Sequence, residues 1–124
     1  MNGLSVYEET AVTTQNKEKI IVLLYEGAIK FLKKAALSIE NKDYLSKGRD
    51  IVRAQEIIFE LNMCLNMEVG GEISENLRLL YNFMYKRLSD ANRTCDTKII
   101  NEVINILKHL HNAWSQIATG EKLA

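Results

Sequence analysis

Apolar residues return every three or four positions along most of this chain, a spacing that predicts helices rather than strands. The strongest stretch runs from Asn16 to Glu40. Ile20, Leu24, Ala28, Phe31, Ala35 and Ile39 fall on one helical face, with Ile21, Tyr25 and Leu32 beside them. A stripe this broad can be covered from two sides at once, which places the helix in the middle of a bundle. Asn16 is the expected N-cap, and Glu18 puts a negative charge in the first turn, where it suits the helix dipole.

Asn41-Lys42-Asp43 reads as a short polar turn. Beyond it, Ile51, Ala54, Ile58, Leu61 and Leu65 alternate steps of three and four, the pattern of a helix lying nearly along its neighbours. Gly48 weakens the start of this helix, so its first residue falls between Tyr44 and Asp50, and Gly70-Gly71 is expected to stop it. A third helix carries Ile73, Leu77, Leu80, Met84, Leu88 and Ala91. A polar break follows at Asn92 to Asp96, with Asp96 as the cap of a fourth helix. That last helix has two apolar lines, Ile100, Val103, Leu107, Leu110, Trp114 and Ile99, Ile106, Ala113, Ile117, and Gly120 ends it. The expected fold is all-α: an antiparallel up-and-down four-helix bundle in one domain, 1–124. Its helices are expected at about 17–40, 44–69, 72–92 and 97–118, with an N-terminal arm (1–15) and a short C-terminal tail.

Two features do not follow from the bundle pattern alone. Gly27 costs about 1 kcal/mol against alanine inside a helix, so something comes close there, either a neighbouring helix or a partner. Residues 1–15 have no sustained helical period yet contain Leu4, Val6, Tyr7, Ala11 and Val12. They read either as a frayed terminus or as an arm lying on an apolar surface.

Composition narrows the function. Sixteen basic residues balance sixteen acidic ones, and no basic excess of the kind that drives phosphate binding is present, so a nucleic-acid partner is not expected. The longest apolar run, Ile20 to Tyr25, is far short of the ~20 residues that span a bilayer, and residues 1–14 lack the features of a signal peptide. A cytoplasmic protein without membrane insertion is expected. The two cysteines, Cys64 and Cys95, fit reduced thiols better than a disulfide scaffold.

Candidate chemistry is sparse. His109 and His111 lie on different sides of their helix, and neither follows a glutamate at the three-residue step of a di-iron bundle, so no metal or other cofactor is expected. Phosphate-cradling glycine loops are absent. A nucleophile with its base could assemble only in space, and an enzyme is not the expected reading. What remains is surplus apolar surface: Val52, Ile57, Phe59 and Met63 on the second helix, and Leu79, Tyr81, Phe83 and Tyr85 on the third. These residues either widen the core or serve a helical partner.

Several blocks carry a family resemblance: Leu24-Tyr25-Glu26-Gly27-Ala28-Ile29 with Phe31-Leu32 and Ala35; Ala54-Gln55-Glu56-Ile57-Ile58 with Glu60-Leu61; Gly70-Gly71-Glu72-Ile73 with Asn76-Leu77 and Leu80-Tyr81; Arg87-Leu88, Ala91-Asn92 and Ala113-Trp114. In this order and spacing the chain resembles the flagellin-specific export chaperones, the FliS family, with Tyr7 ahead of Val12 and Thr14 fitting the family's arm. Lys17 departs from the proline that members often place at the helix entry. The resemblance implies a cytosolic bundle that binds the C-terminal region of flagellin, prevents premature polymerisation and supports delivery to the flagellar type III export apparatus. It also implies contact with flagellar export components. The partner-binding residues expected on this basis are Tyr7, Val12, Tyr25, Gly27, Ile57, Phe59, Leu80, Tyr81 and Met84. The surplus apolar residues also leave open a homodimer, or a self-assembling structural bundle with no client.

Overall fold

Four helices, joined by two- and three-residue connections, account for nearly all of the computed structural model, which describes the backbone of residues 14–120 and the side chains of 17–120. They are α1 (Thr14–Glu40), α2 (Tyr44–Met63), α3 (Met67–Thr94) and α4 (Thr97–Ala118). Such short connections force antiparallel neighbours. Helix α1 packs against α2 and α4, and α3 closes the ring by packing against the same two. The all-α four-helix bundle expected from the apolar pattern is the observed architecture.

Local chemistry sets the element ends. Asp43 caps α2 by accepting from Ser46 N, Asn66 caps α3 by accepting from Val69 N, and Asp96 caps α4 by accepting from Lys98 N. Lys42 and Cys95 take left-handed backbone angles at the helix ends, and Cys95 N donates to Ala91 O. Two expected boundaries move. Helix α1 begins at Thr14, so Asn16 lies inside it and is not its cap. Helix α2 stops at Met63, not at Gly70-Gly71, because Asn66 is available to cap a new helix four residues earlier. The glycine pair still interrupts the backbone: α3 carries a kink at Gly71, with φ 52° and ψ −125°, angles that favour glycine.

The core is made of Tyr25, Ala28, Leu32 and Ala35 from α1, Ile51, Ala54, Ile58 and Leu61 from α2, Tyr81, Met84, Leu88 and Ala91 from α3, and Ile100, Val103, Ile104 and Leu107 from α4. On α2 the buried line is the expected one. On α1 it is rotated: Tyr25 and Leu32, read as flanks, are fully buried, while Leu24, Phe31 and Ile39 are only partly so. A helix covered from two sides places its deepest residues between the two contacts. In the first half of α3, Ser74 and Tyr81 face inward and Ile73 is 71% exposed.

The α1–α2 seam is tight. A Cβ at Gly27 would lie 3.3 Å from Ile57 Cδ1, so the close neighbour inferred at Gly27 is the α2 side chain of Ile57. The α2–α3 seam is polar by contrast. Lys47 Nζ donates to Asn92 O at 2.7 Å and to Asn92 Oδ1 at 2.9 Å, and Gln55 Nε2 donates to Tyr85 O at 3.0 Å and Ser89 Oγ at 2.8 Å. Further along, Asn62 Nδ2 donates to Asn82 Oδ1 at 3.0 Å. Lys47 and Gln55 are nearly fully buried, and these partners make their burial tolerable.

Candidate interaction surface

At one end of the bundle, where α1 and α3 begin and α2 and α4 finish, the four helices do not close completely. A groove of about 360 Å³ opens there, walled by Ile21 of α1, Leu61 and Leu65 of α2, Ile73, Leu77 and Tyr81 of α3 and Trp114 of α4. The kink at Gly71 sits at its rim. Val69, 84% exposed, and Ile73 stand on either side of that kink and carry apolar surface outward. Gly70 has no room for a side chain, since a Cβ would fall 1.8 Å from Ser74 Oγ, and that hydroxyl donates to Asn66 O at 3.0 Å to tie the connection down.

The floor of the groove holds the polar centre of the core. Tyr25 and Tyr81 are hydrogen-bonded hydroxyl to hydroxyl across the bundle, from α1 to α3, with Trp114 beside the Tyr25 hydroxyl. Burial pushes both phenols above their ordinary pKa. At Tyr25 the neighbouring Tyr81 adds to the rise, whereas the hydrogen bond from Tyr25 works against the rise at Tyr81. Both remain neutral and bonded at physiological pH.

A second groove, also about 360 Å³, runs along the α2–α3 seam between Ile58, Phe59 and Asn62 on one side and Tyr81, Asn82 and Tyr85 on the other. Phe59 is 57% exposed, and Tyr85 and Phe83 are each more than two-fifths exposed. With Val52, Met63 and Leu79, also exposed, α2 and α3 present most of the surplus apolar surface expected from the sequence. Such large apolar side chains left in water on neighbouring helices mark an interaction face. Val69 and Ile73 extend it; the spacing put Ile73 on the core line with Leu77 and could not show that the four helices leave that end open.

The expected partner-binding residues do not form one surface. Phe59 and Tyr81 meet in the α2–α3 groove, and Tyr81 also reaches the end groove. Ile57 packs over Gly27 in the α1–α2 seam, Leu80 packs partly buried against the core, and Tyr25 and Met84 lie wholly inside. Tyr7 and Val12 lie outside the described residues.

Among the described residues no three His, Cys, Asp or Glu side chains come together to hold a metal, and no helix is long and apolar enough to cross a membrane. His109 contacts the Asn105 carbonyl, His111 contacts Glu26, and neither Cys64 nor Cys95 forms a disulfide.

A helical bundle with open apolar grooves and solvent-facing aromatics is the form of a protein that holds another chain, and comparison with known proteins places it. The sequence matches the family described as Flagellar protein FliS over residues 1–121. It is 35% identical to the flagellar secretion chaperone FliS of Bacillus subtilis, over 98% of this chain and 90% of that protein. With the protein of the same name from Salmonella typhimurium the identity is 38%, over 94% and 90%. With that of Vibrio cholerae it is 34%, over 93% and 88%. The chain belongs to the FliS family, a family of flagellar export chaperones and not of enzymes.

Proposed function

We propose that this protein is a cytoplasmic chaperone for flagellin, holding the C-terminal region of the newly made subunit, preventing its premature polymerisation and supporting its delivery to the flagellar type III export apparatus. The observation that carries this is the apolar face of α2 and α3, with its seam groove continuous through Tyr81 with the end groove, in a chain of the FliS family. A client helix whose apolar side is meant for the filament needs an equivalent apolar surface while it waits, and it orders as it binds. No nucleotide is required, because cover and release can follow affinity and mass action.

Phe59, Tyr85, Ile73 and Val69 are the contact residues in this scheme, and Tyr81 forms the floor on which the client rests. Helix α1 begins at Thr14, and Lys17, Glu18 and Ile21 of its first turns line the end groove. We assign the arm carrying Tyr7 and Val12 the role of covering that groove until the client arrives. Removing residues 1–13 is expected to speed flagellin association; unchanged rate and affinity would refute the covering role.

Co-purification with full-length flagellin and with flagellin lacking its C-terminal region tests the client. Capture of the first and not of the second is expected, and equal capture of both would overturn the assignment. Phe59→Asp combined with Tyr85→Asp, both exposed and outside the core, is expected to abolish capture while the far-ultraviolet helical signal persists. Sedimentation with and without a flagellin C-terminal peptide separates a client complex from self-association through the same face.

A further inference from the structure

We infer that the α1–α4 face, opposite the apolar α2–α3 face, is a separate docking surface for an acidic, carboxylate-bearing segment of a protein partner. It goes beyond client binding and takes from the export role only the expectation that a protein receives the loaded chaperone.

The observation is a segregation of charge in a chain with none overall. From Gly27 to Ile39 on α1 and from Val103 to Ala118 on α4 there is no Asp or Glu, although the whole chain has as many acids as bases. Lys30, Lys33 and Lys34 project from α1 and Lys108 from α4, all exposed, into one shallow groove of about 550 Å³. Among the described residues none of these four lysines has an ion-pair partner. The single acid in the groove is Glu26, and its carboxylate is already held by His111 Nε2 at 2.8 Å. Lys34 lies over the Phe31 ring, 5.9 Å from its centroid, which keeps its stem against the helix and its ammonium at the groove.

Like charges one turn apart on a helix destabilise it, so Lys30 with Lys33 and Lys34 is a cost in the isolated bundle. A row of carboxylates relieves it. The groove already seats one carboxylate, at Glu26, and the lysines continue the same line along α1 with Lys108 facing them. This suits an acidic helix or strand laid along the α1–α4 seam. A nucleic acid fits less well: the lining contains no arginine to grip phosphate in a fork, its one ring is the His111 imidazole already bonded to Glu26, and four point charges give a short footprint. An anionic membrane also fits less well, because the concave seam offers only Ile29 as apolar lining and no wedge to insert.

The test uses the intact protein and a labelled amphipathic peptide repeating Glu-Glu-Leu-Ala, with a Gln-Gln-Leu-Ala repeat as its neutral match. Amide resonances of Lys30, Lys33, Lys34, Lys108 and His111 are expected to move with the glutamate peptide and not with the glutamine one. Affinity should fall about tenfold between roughly 50 and 300 mM salt, as screening shortens. The variant K30E/K33E/K34E/K108E should lose the peptide, and K30Q/K33Q/K34Q/K108Q should weaken it by about tenfold at low salt, with both still capturing flagellin. Binding retained by the reversed variant, shifts scattered over all lysines, or tighter binding of phosphatidylglycerol vesicles or poly-uridine RNA than of the peptide would each overturn the assignment. So would loss of flagellin capture in the folded glutamine variant, since the face would then belong to the client site. If the unmodified protein held the acidic peptide but no flagellin, the client assignment would fall and this one would stand.

Discussion

The two seams of α2 show two ways of joining helices. Against α1, α2 places Ile57 over Gly27, and the adjoining core rows are lined by Ala28, Ala35 and Ala54, so the helices approach closely and exclude water. Against α3 it places Lys47, Gln55 and Asn62, which reach across to carbonyl, hydroxyl and amide oxygens on α3. Apolar packing favours the shortest separation, whereas long polar side chains bridge a gap. The difference accounts for where the surface opens: the α1–α2 seam is closed, and the α2–α3 seam carries a groove rimmed by Phe59 and Tyr85.

The largest effect is expected on the closed side. Leu32 is fully buried on α1, and Leu32→Ala should cost about 2–4 kcal/mol in urea unfolding, through lost burial and the cavity left behind. A cost under about 1 kcal/mol would mean that the α1 side can collapse around a void and is not the tightly packed half.

Next comes the link between the two halves, the Tyr25–Tyr81 pair. Both phenols are held neutral in the fold above their ordinary pKa, so above pH of about 10 the unfolded chain releases protons that the folded one keeps. Stability is therefore fully present below that pH and falls as pH rises past it, by up to about 1.4 kcal/mol per pH unit for each tyrosine. Tyr25→Phe removes one titrating group and should make the alkaline decline shallower. An equally steep decline in this variant would show that other groups drive it.

A smaller change is expected at the polar seam. Lys47→Met leaves two oxygens of Asn92 without their donor while adding apolar burial, for a net loss of about 1–2 kcal/mol. Should it cost as much as Leu32→Ala, α3 would be anchored as firmly as α1 and the contrast between seams would dissolve.

The smallest effect on stability is predicted on the groove rim. Phe59→Ala should shift unfolding by less than about 0.5 kcal/mol, as for an exposed residue, yet weaken flagellin capture by about tenfold. Comparable losses in both measurements would place Phe59 in the fold's own packing.

Much of this was legible in the chain, and the exceptions have specific causes. The stripe Ile51, Ala54, Ile58, Leu61 on α2 is the observed core line because that helix buries one face and apolar spacing reports it directly. On α1 the same method chose Leu24 and Phe31 over Tyr25 and Leu32, since a wide stripe does not say where its middle lies. Buried Lys47 and Gln55 carried no signal at all. Their partners lie 45 and 30 to 34 residues away, and a polar residue is recognised as core only once its hydrogen-bonding partner is known. Of the expected partner-binding residues, Phe59 and Tyr81 line one groove, whereas Ile57, Tyr25 and Met84 lie inward in the packing of the helices, which spacing along one helix does not report.

By itself, then, the amino-acid sequence determined the number of helices, the cap Asp96, the antiparallel order and the family to which the chain belongs, because these depend on residues close together or on an overall pattern of spacing. Only the tertiary structure decided which apolar residues stay in water. It closed one seam with small side chains, held another with polar ones and left the end of the bundle beside the Gly71 kink open, so that Ile73 stays exposed in the groove. Those outcomes depend on how far apart two helices come to rest, a distance set by side chains from both at once.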